Sequence, residues 1–492
     1  METLQEKEHI IKINLPGGIV AAGDLCDILN AAERAGIKNV RFGTRQQVFF
    51  SVKPDMLEDL EQDFMISDIS YEIDSDIHPN IISSYVTEDI FDQSNWLREG
   101  VYKDVLDMFD YQPKLKVNLV DSNQTFIPFF TGNLNFIASD TGNYWFLYVR
   151  FPKTNIIYLW PALIYSGDIA AVSKAIERAI LANRDKYYDQ PEIDGNILFE
   201  SLNSSSFASQ PINHKLKLPD FALPYYEGFN RYDSKYWLGI YRRDEFFPVS
   251  FLKEICAACI KTRTGQIYTT PWKSIIIKGI ESSDRFGWSN ILSKYRINLR
   301  HAANELNWQI EDLCDEGLQL KQYLIKEFDK VDLRTFMLSF AIKCNPKTGL
   351  FGSVIIRKQK NDEPQPQQLF DILYTHDFNP NSKTFTLHRA GLEAAELPVH
   401  LIALCHSFYE VADHAEPNQA LNAPETAQEE EAKIFVHQCK NCLTIYDEEF
   451  GDEFNEIATG IPFDELPASY CCPTCETGKE DFIPVEKNIL VL

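Results

Sequence analysis

Apolar positions change period along the chain, and the changes mark its elements. Ile10-Ile-Lys-Ile-Asn-Leu alternates as a strand does, and Pro16-Gly17-Gly18 turns the chain. Leu25, Ile28, Leu29, Ala32 and Ala35 then recur at helical spacing, with Gly36 where a helix C-cap belongs. Val40 to Val52 reads as one strand. The same pattern returns 227 residues later without a gap: Leu25, Ile28, Leu29 and Ala32 correspond to Leu252, Ile255, Cys256 and Cys259. Val40 corresponds to Ile267, Arg45 to Trp272, Gln46 to Lys273 and Phe49 to Ile276. A β-α-β unit repeated at this distance predicts a duplicated domain whose halves flank an insertion. The register also makes Cys256 and Cys259 core residues of a helix; they carry no metal or redox role.

Between and after the repeats, helical and strand patterns alternate. Helices are expected at Val101–Phe109, Ile169–Asn183, Leu313–Phe328 and Leu392–Val411, and strands at Lys116–Val120, Asn143–Arg150, Phe336–Ile342 and Ser353–Arg357. From Asp413 to Glu431 the pattern lapses into polar residues, two prolines and an acidic cluster, a flexible tether spanning roughly 25 Å root-mean-square. The expected divisions are 1–77, 78–235, 236–290, 291–412, a linker at 413–432, and a terminal module at 433–492.

Composition narrows the class. The chain has 492 residues and a formal net charge of −25, which argues against nucleic acid as a partner because the phosphate backbone would be repelled. No apolar run approaches the length of a membrane span, and the first residues are charged, so a cytoplasmic protein with no membrane partner is expected. Eleven cysteines fit a reducing compartment. The segment from Phe435 onward holds twelve Asp and Glu against three Lys, a charge suited to steering toward a basic partner.

The densest chemistry is in the last sixty residues. Cys439-Lys-Asn-Cys442 is followed, after 29 residues, by Cys472-Pro-Thr-Cys475. Paired C-x2-C knuckles can place four thiolates at the corners of a tetrahedron around zinc or a single iron, and the spacing alone does not choose between them. Cys471, beside a ligand, is read as a packed or surface thiol.

The residues between the knuckles carry a resemblance. Ile445-Tyr446-Asp447, Gly451-Asp452, the run Gly460-Ile-Pro-Phe-Asp-Glu-Leu-Pro467 and Tyr470 together resemble rubredoxin. This implies one iron, cycling between Fe3+ and Fe2+, held by Cys439, Cys442, Cys472 and Cys475, and one-electron transfer to a redox partner protein. Leu443 and Glu476 depart from the family, which usually places glycine there.

A second resemblance spans residues 1–412. Gly17-Gly18-Ile19-Val20, then Gly43-Thr44-Arg45-Gln46, and in the repeat Thr270-Pro271-Trp272-Lys273, look like the ferredoxin-like half-domains of sirohaem nitrite and sulfite reductases. The implied order is half-domain, α/β domain, half-domain, α/β domain, with Asn80-Ile-Ile-Ser-Ser and Asn298-Leu-Arg-His-Ala as equivalent opening strands. The fold class expected is therefore α+β: a duplicated reductase-like scaffold plus a small metal-bound rubredoxin domain. The family's cluster ligands, C-x5-C and C-x3-C, fall here on His301 and Asn307, and on Cys344 and Thr348. With three of the four thiolates missing, no [4Fe–4S] cluster is expected, and His301 is read as a structural histidine. The family's oxyanion residues match Arg45 and the pair Lys114 and Lys116, an anion or sirohaem site; a further family arginine is replaced by Pro79.

The leading expectation is an electron carrier serving nitrate, nitrite or sulfite assimilation, with a degenerate scaffold that docks a partner or small ligand. Two alternatives stand beside it. One is an active sirohaem-dependent nitrite or sulfite reductase, an oxidoreductase with unusual ligation. The other is a zinc-stabilised binding protein for sirohaem or an oxyanion.

Overall fold

The computed structural model describes residues 7–91, 96–202, 207–345, 349–360, 368–375, 377–382, 384–414, 435–441, 444–448, 451–455, 457–475 and 477–486. It divides into two compact units, Met1–Ala412 and Asp413–Leu492. Residues 415–434, where the tether is expected, lie outside the described residues.

The first unit carries the duplication twice over. One five-stranded sheet orders Phe247–Pro248, Asn39–Phe42, Val48–Val52, His9–Ile13 and Glu72–Ile73; another orders Gly228–Tyr232, Lys235–Ile240, Ile275–Ile280, Gln266–Thr269 and Ile19–Ala21. Each repeat thus lends its edge strand to the other sheet: Phe247 pairs with Val40, and Ile267 pairs with Val20. Each lent strand runs straight into its helix, Ala22–Arg34 or Val249–Thr262. Leu25, Ile28, Leu29 and Ala32 are buried with Leu252, Ile255, Cys256 and Cys259 in one shared core. Burial holds the thiols of Cys256 and Cys259 protonated, that of Cys259 up at about 11. They are core residues.

Val40 to Val52 is two strands, where the pattern predicts one. The chain reverses at Gly43–Gln47, closed by Gly43 N donating to Gln47 O at 2.8 Å. Gln46 there has φ 62° and its repeat partner Lys273 has φ 55°, in a turn closed by Thr270 N donating to Ser274 O at 3.0 Å. Both copies keep a non-glycine residue in the left-handed region, which costs about 1–2 kcal/mol and marks turns fixed by their surroundings.

The two remaining sheets of this unit are also alike. Ile82–Ser83, Val117–Val120 and Leu134–Ala138 run parallel, then the sheet continues antiparallel through Tyr144–Arg150. Trp308–Ile310, Phe340–Lys343 and Val354–Lys358 likewise run parallel before antiparallel Leu369–Thr375 and Phe385–Glu393. Crossover helices Glu99–Asp107 and Asp315–Lys330 follow the first strand of each, as parallel pairing requires. Three expected elements shift. The opening strand expected at Asn298-Leu-Arg-His-Ala is not one, and the sheet opens at Trp308–Ile310. The helix expected from Leu392 begins at Leu397, because Phe385–Glu393 completes the sheet; the strand expected from Phe336 begins at Phe340, after a turn in which Leu338 N donates to Thr335 O.

The second unit is a three-stranded sheet ordered Ile445–Tyr446, Phe435–Cys439, Phe482–Glu486, packed on Tyr446, Phe463, Leu466, Tyr470 and Phe482. Among the described residues no helix is long and apolar enough to cross a membrane.

Gly239 shows how tightly the first unit is closed. A Cβ there would lie 1.8 Å from the carbonyl oxygen of Tyr226, a backbone atom that cannot swing aside. G239A should lower the unfolding free energy by about 3 kcal/mol, read from the urea midpoint. G100A, whose Cβ meets nothing within 4 Å, should leave it unchanged or raise it by up to about 1 kcal/mol.

Candidate metal centre and anion cleft

The sulfur cluster is built by backbone. Cys439 ends a strand, and its N–H donates to Thr444 O at 2.8 Å; the N–H of Cys472 donates to Thr477 O at the same distance. Thr444 Oγ1 donates to Thr474 Oγ1 at 2.9 Å and joins the two loops. The result brings the Sγ atoms of Cys439, Cys472 and Cys475 within 4.8 Å of one another, with Cys439 and Cys475 at 3.6 Å. A tetrahedral ion with bonds of ~2.3 Å needs sulfurs ~3.8 Å apart, so the three fit one. Cys439 and Cys472 are buried. Beneath them, Tyr470 hydroxyl donates to Asp452 at 2.8 Å and Tyr446 hydroxyl to Ile461 O at 2.7 Å. Cys442, Leu443 and Glu476 lie outside the described residues. Cys471 is exposed and turned to Ser469 O, away from the cluster.

In the first unit the oxyanion residues separate. Arg45 and Lys116 line a cleft of about 560 Å³ with Thr44, Thr131, Glu311 and Asp312. Lys114 does not line it and is exposed. Arg45 is buried and spends its donors on the fold: Nε and Nη2 reach Asn80 O at 3.1 and 2.7 Å, Nη2 also Val117 O at 3.0 Å, and Nη1 Asn118 Oδ1 at 3.2 Å. It pins the hairpin turn to the neighbouring sheet.

Arg150, which the sequence pattern shows only as the end of a strand, is a third cation, set against the cleft wall without lining it. Its Nη2 donates to Thr131 O at 3.0 Å, and its guanidinium would lie 3.0 Å from a Cβ on cleft residue Gly349. Burial lowers all three cations: Arg45 to about 9, Arg150 to about 10, and Lys116 to about 8, the last also through Arg45 and Arg150. Asp312 lines the same cleft, raised by its own burial, and accepts from Thr44 N at 2.8 Å. Behind it Lys273 is buried in an ion pair with Glu245 at 2.8 Å.

His301 sits as a structural histidine. Its Nδ1 meets Glu227 Oε1 at 2.6 Å, its N–H donates to Glu227 Oε2 at 2.8 Å, and its ring stands edge-on to Tyr241. Asn307 donates to Thr335 and Leu338 O. The thiol that meets Cys344 is instead Cys314, which the sequence reading passed over; Thr348 lies outside the described residues. The hydrogen bond with Cys344, helped by Gly317 N–H, lowers the Cys314 thiol against its burial and moves Cys344 upward.

The knuckles, the three-stranded sheet and the aromatic core define a rubredoxin domain, and the comparisons agree. The rubredoxin family model matches residues 436–482. The chain is 42% identical over 50 residues to the rubredoxin of Megasphaera elsdenii, covering 94% of that protein and 10% of this chain. It is 41% identical over 49 residues to the probable rubredoxin HupI of Bradyrhizobium diazoefficiens, covering 71% of it and 10% of this chain. Through this domain the chain belongs to the rubredoxin family, whose cysteines bind iron. Other relatives are longer: the chain spans 18% of the probable rubredoxin HupJ of Rhodobacter capsulatus (42% identical over 50 residues, 10% of this chain) and 29% of Rubredoxin-1 of Pseudomonas putida (39% over 51, 10%). Over 82% of its length the chain shares the fold of the NirA protein of Mycobacterium tuberculosis, of which it covers 81%, with a TM-score of 0.59 and 12% identity.

If Arg45 serves as a pin, R45M should leave the carbonyls of Asn80 and Val117 without donors and lower the unfolding free energy by about 2 kcal/mol. K114A should stay within about 0.5 kcal/mol of the parent. Equal urea midpoints for the two variants would contradict this division of roles.

Proposed function

We propose that this chain is a one-electron carrier in which Cys439, Cys442, Cys472 and Cys475 hold a single iron. The convergence of three of these sulfurs within 4.8 Å carries the reading. The iron, once bound, supplies a one-electron couple with no open coordination position for substrate. The chain's own contribution is to fix the thiolates through the paired loops, so that little geometry changes between oxidation states. It also excludes water with Tyr446, Phe463 and Tyr470.

The setting we infer is nitrate, nitrite or sulfite assimilation in the cytoplasm. It is supported by the Thr44-Arg45-Gln46 and Thr270-Pro271-Trp272 motifs and by a cleft lined by Lys116 and Arg45, with Arg150 bonded to the cleft residue Thr131. The redox partner is a protein with a basic docking face, matched to a chain of net charge −25. The ten described cysteines form no disulfide, which suits a reducing compartment. The first unit serves as the docking and anion-binding scaffold.

Two outcomes test this. C439S and C472S should each lose the iron and the visible colour of the ferric form, measured by elemental assay and absorption; unchanged iron would end the assignment. For the cleft, nitrite binding by calorimetry should depend on the Lys116 proton, which leaves the empty cleft at about pH 8. Because the ammonium favours the anion, affinity is level below that pH and falls above it, by up to about tenfold per pH unit. K116M should weaken binding at pH 7 by roughly tenfold and flatten the profile, whereas K114A should do neither. A pH-independent affinity in the parent would sink the cleft as an anion site.

A further inference from the structure

We propose that the first unit holds a second metal site, a zinc site formed by Glu311, Cys314 and Cys344. One ligand atom from each lies within 4.8 Å of the other two. Tetrahedral zinc, with Zn–S ~2.3 Å and Zn–O ~2.1 Å, needs donors roughly 3.5–3.8 Å apart, so the set needs to close by no more than about 1.3 Å.

The topology makes this meeting unavoidable. Strands Trp308–Ile310 and Phe340–Lys343 are parallel neighbours, with Ile310 level with Ile342. Glu311 and Cys344 are the residues just past their carboxyl ends, the place where parallel sheets open a crevice for ligands. Cys314 caps the helix that follows, Asp315–Lys330, and its sulfur accepts from Gly317 N at 3.4 Å. The positive end of that helix adds a favourable field for a thiolate.

Two further observations point to a prepared site. Glu311 is buried, and its carboxylate is oriented by Asn345, whose backbone N–H reaches both oxygens at 2.9 and 3.0 Å while its side-chain amide donates at 2.8 Å. Such outer hydrogen bonds hold ligating carboxylates in place. The second is a space kept clear by glycine: a Cβ on Gly317 would stand 3.3 Å from Cys314 Sγ, 3.6 Å from Cys344 Sγ and 2.7 Å from Ile310. A larger residue would clash with Ile310 and crowd Cys314 Sγ, while the distance to Cys344 Sγ is ordinary contact.

The donor set chooses the metal class. Two thiolates with one carboxylate suit a borderline-soft divalent ion such as Zn2+ and do not suit Mg2+ or Ca2+, which take oxygen ligands. Among the described residues three protein ligands are at hand, which leaves a fourth position for water or an incoming anion. Glu311 also lines the cleft of Lys116 and Arg45, so that position adjoins the cleft.

The test uses the full chain with its rubredoxin domain already iron-loaded, so that zinc and iron are counted separately. After equilibration with Zn2+ and removal of excess, the parent should carry one zinc per chain beside one iron. C314S combined with C344S should carry iron and no zinc. E311Q should fold as the parent does, by circular dichroism, and bind Zn2+ at least about tenfold more weakly. Zinc should raise the parent's Tm and leave that of the double variant unmoved. The proposal is overturned if the iron-loaded parent takes up no zinc. It is equally overturned if the cysteine variant keeps the zinc, or if peptide mapping of the reduced, zinc-treated parent finds Cys314 and Cys344 joined as a disulfide. Loss of iron with zinc retained would count against the carrier reading alone.

Discussion

Sulfurs brought 3.6 Å apart, as those of buried Cys439 and half-buried Cys475 are, repel one another as thiolates unless a cation lies among them. Bare like charges at that distance repel, and burial removes the water that would screen them. The second unit depends on relief of that repulsion. Its apolar core is small, a handful of aromatic and aliphatic side chains under a three-stranded sheet. Domains of this size commonly draw much of their stability from a bound metal. Ligation, folding and redox chemistry are therefore one equilibrium in this module. The paired loops that present the cysteines are its rigid frame.

The first unit solves a different problem. Its two repeats exchange edge strands, so neither half of the shared core can close without the other. The hairpin turns at Gly43–Gln47 and Thr270–Ser274 then project side chains into the neighbouring sheets. Gln46 donates to Thr269 O at 2.8 Å, and Trp272 Nε1 to Phe126 O at 2.9 Å. Arg45 belongs to this bracing, which explains how a position matching an oxyanion ligand can be retained for the fold itself. Of Arg45 and Lys116, which both line the cleft, Lys116 is the one that burial and the neighbouring arginines bring lowest, to about 8.

Much of this was legible in the residues. The paired knuckles announced a metal domain, and the Gly460–Pro467 run carried its resemblance to rubredoxin. The duplication was legible because helical burial repeats at Leu25 and Leu252 and at Ile28 and Ile255. The exchange of strands was not, since Val40 and Phe247 meet across more than two hundred residues and alternation does not name a partner. The turn at Gly43–Gln47 had a signal that went unused, the glycine and four polar residues that interrupt the apolar pattern between Phe42 and Val48. Cys314 was invisible as a ligand because it stands alone before a helix, and only the parallel pairing of two later strands carries it to Cys344. Arg45's engagement was equally hidden, as backbone carbonyls leave no trace in a side-chain pattern.

The most direct measurement is an anaerobic reductive titration of the purified chain, followed by absorption. A four-thiolate iron carrier should lose its ferric colour completely on taking up one electron per chain, and regain it on reoxidation. A colourless chain that accepts no electrons, with zinc at the four cysteines, would contradict the account.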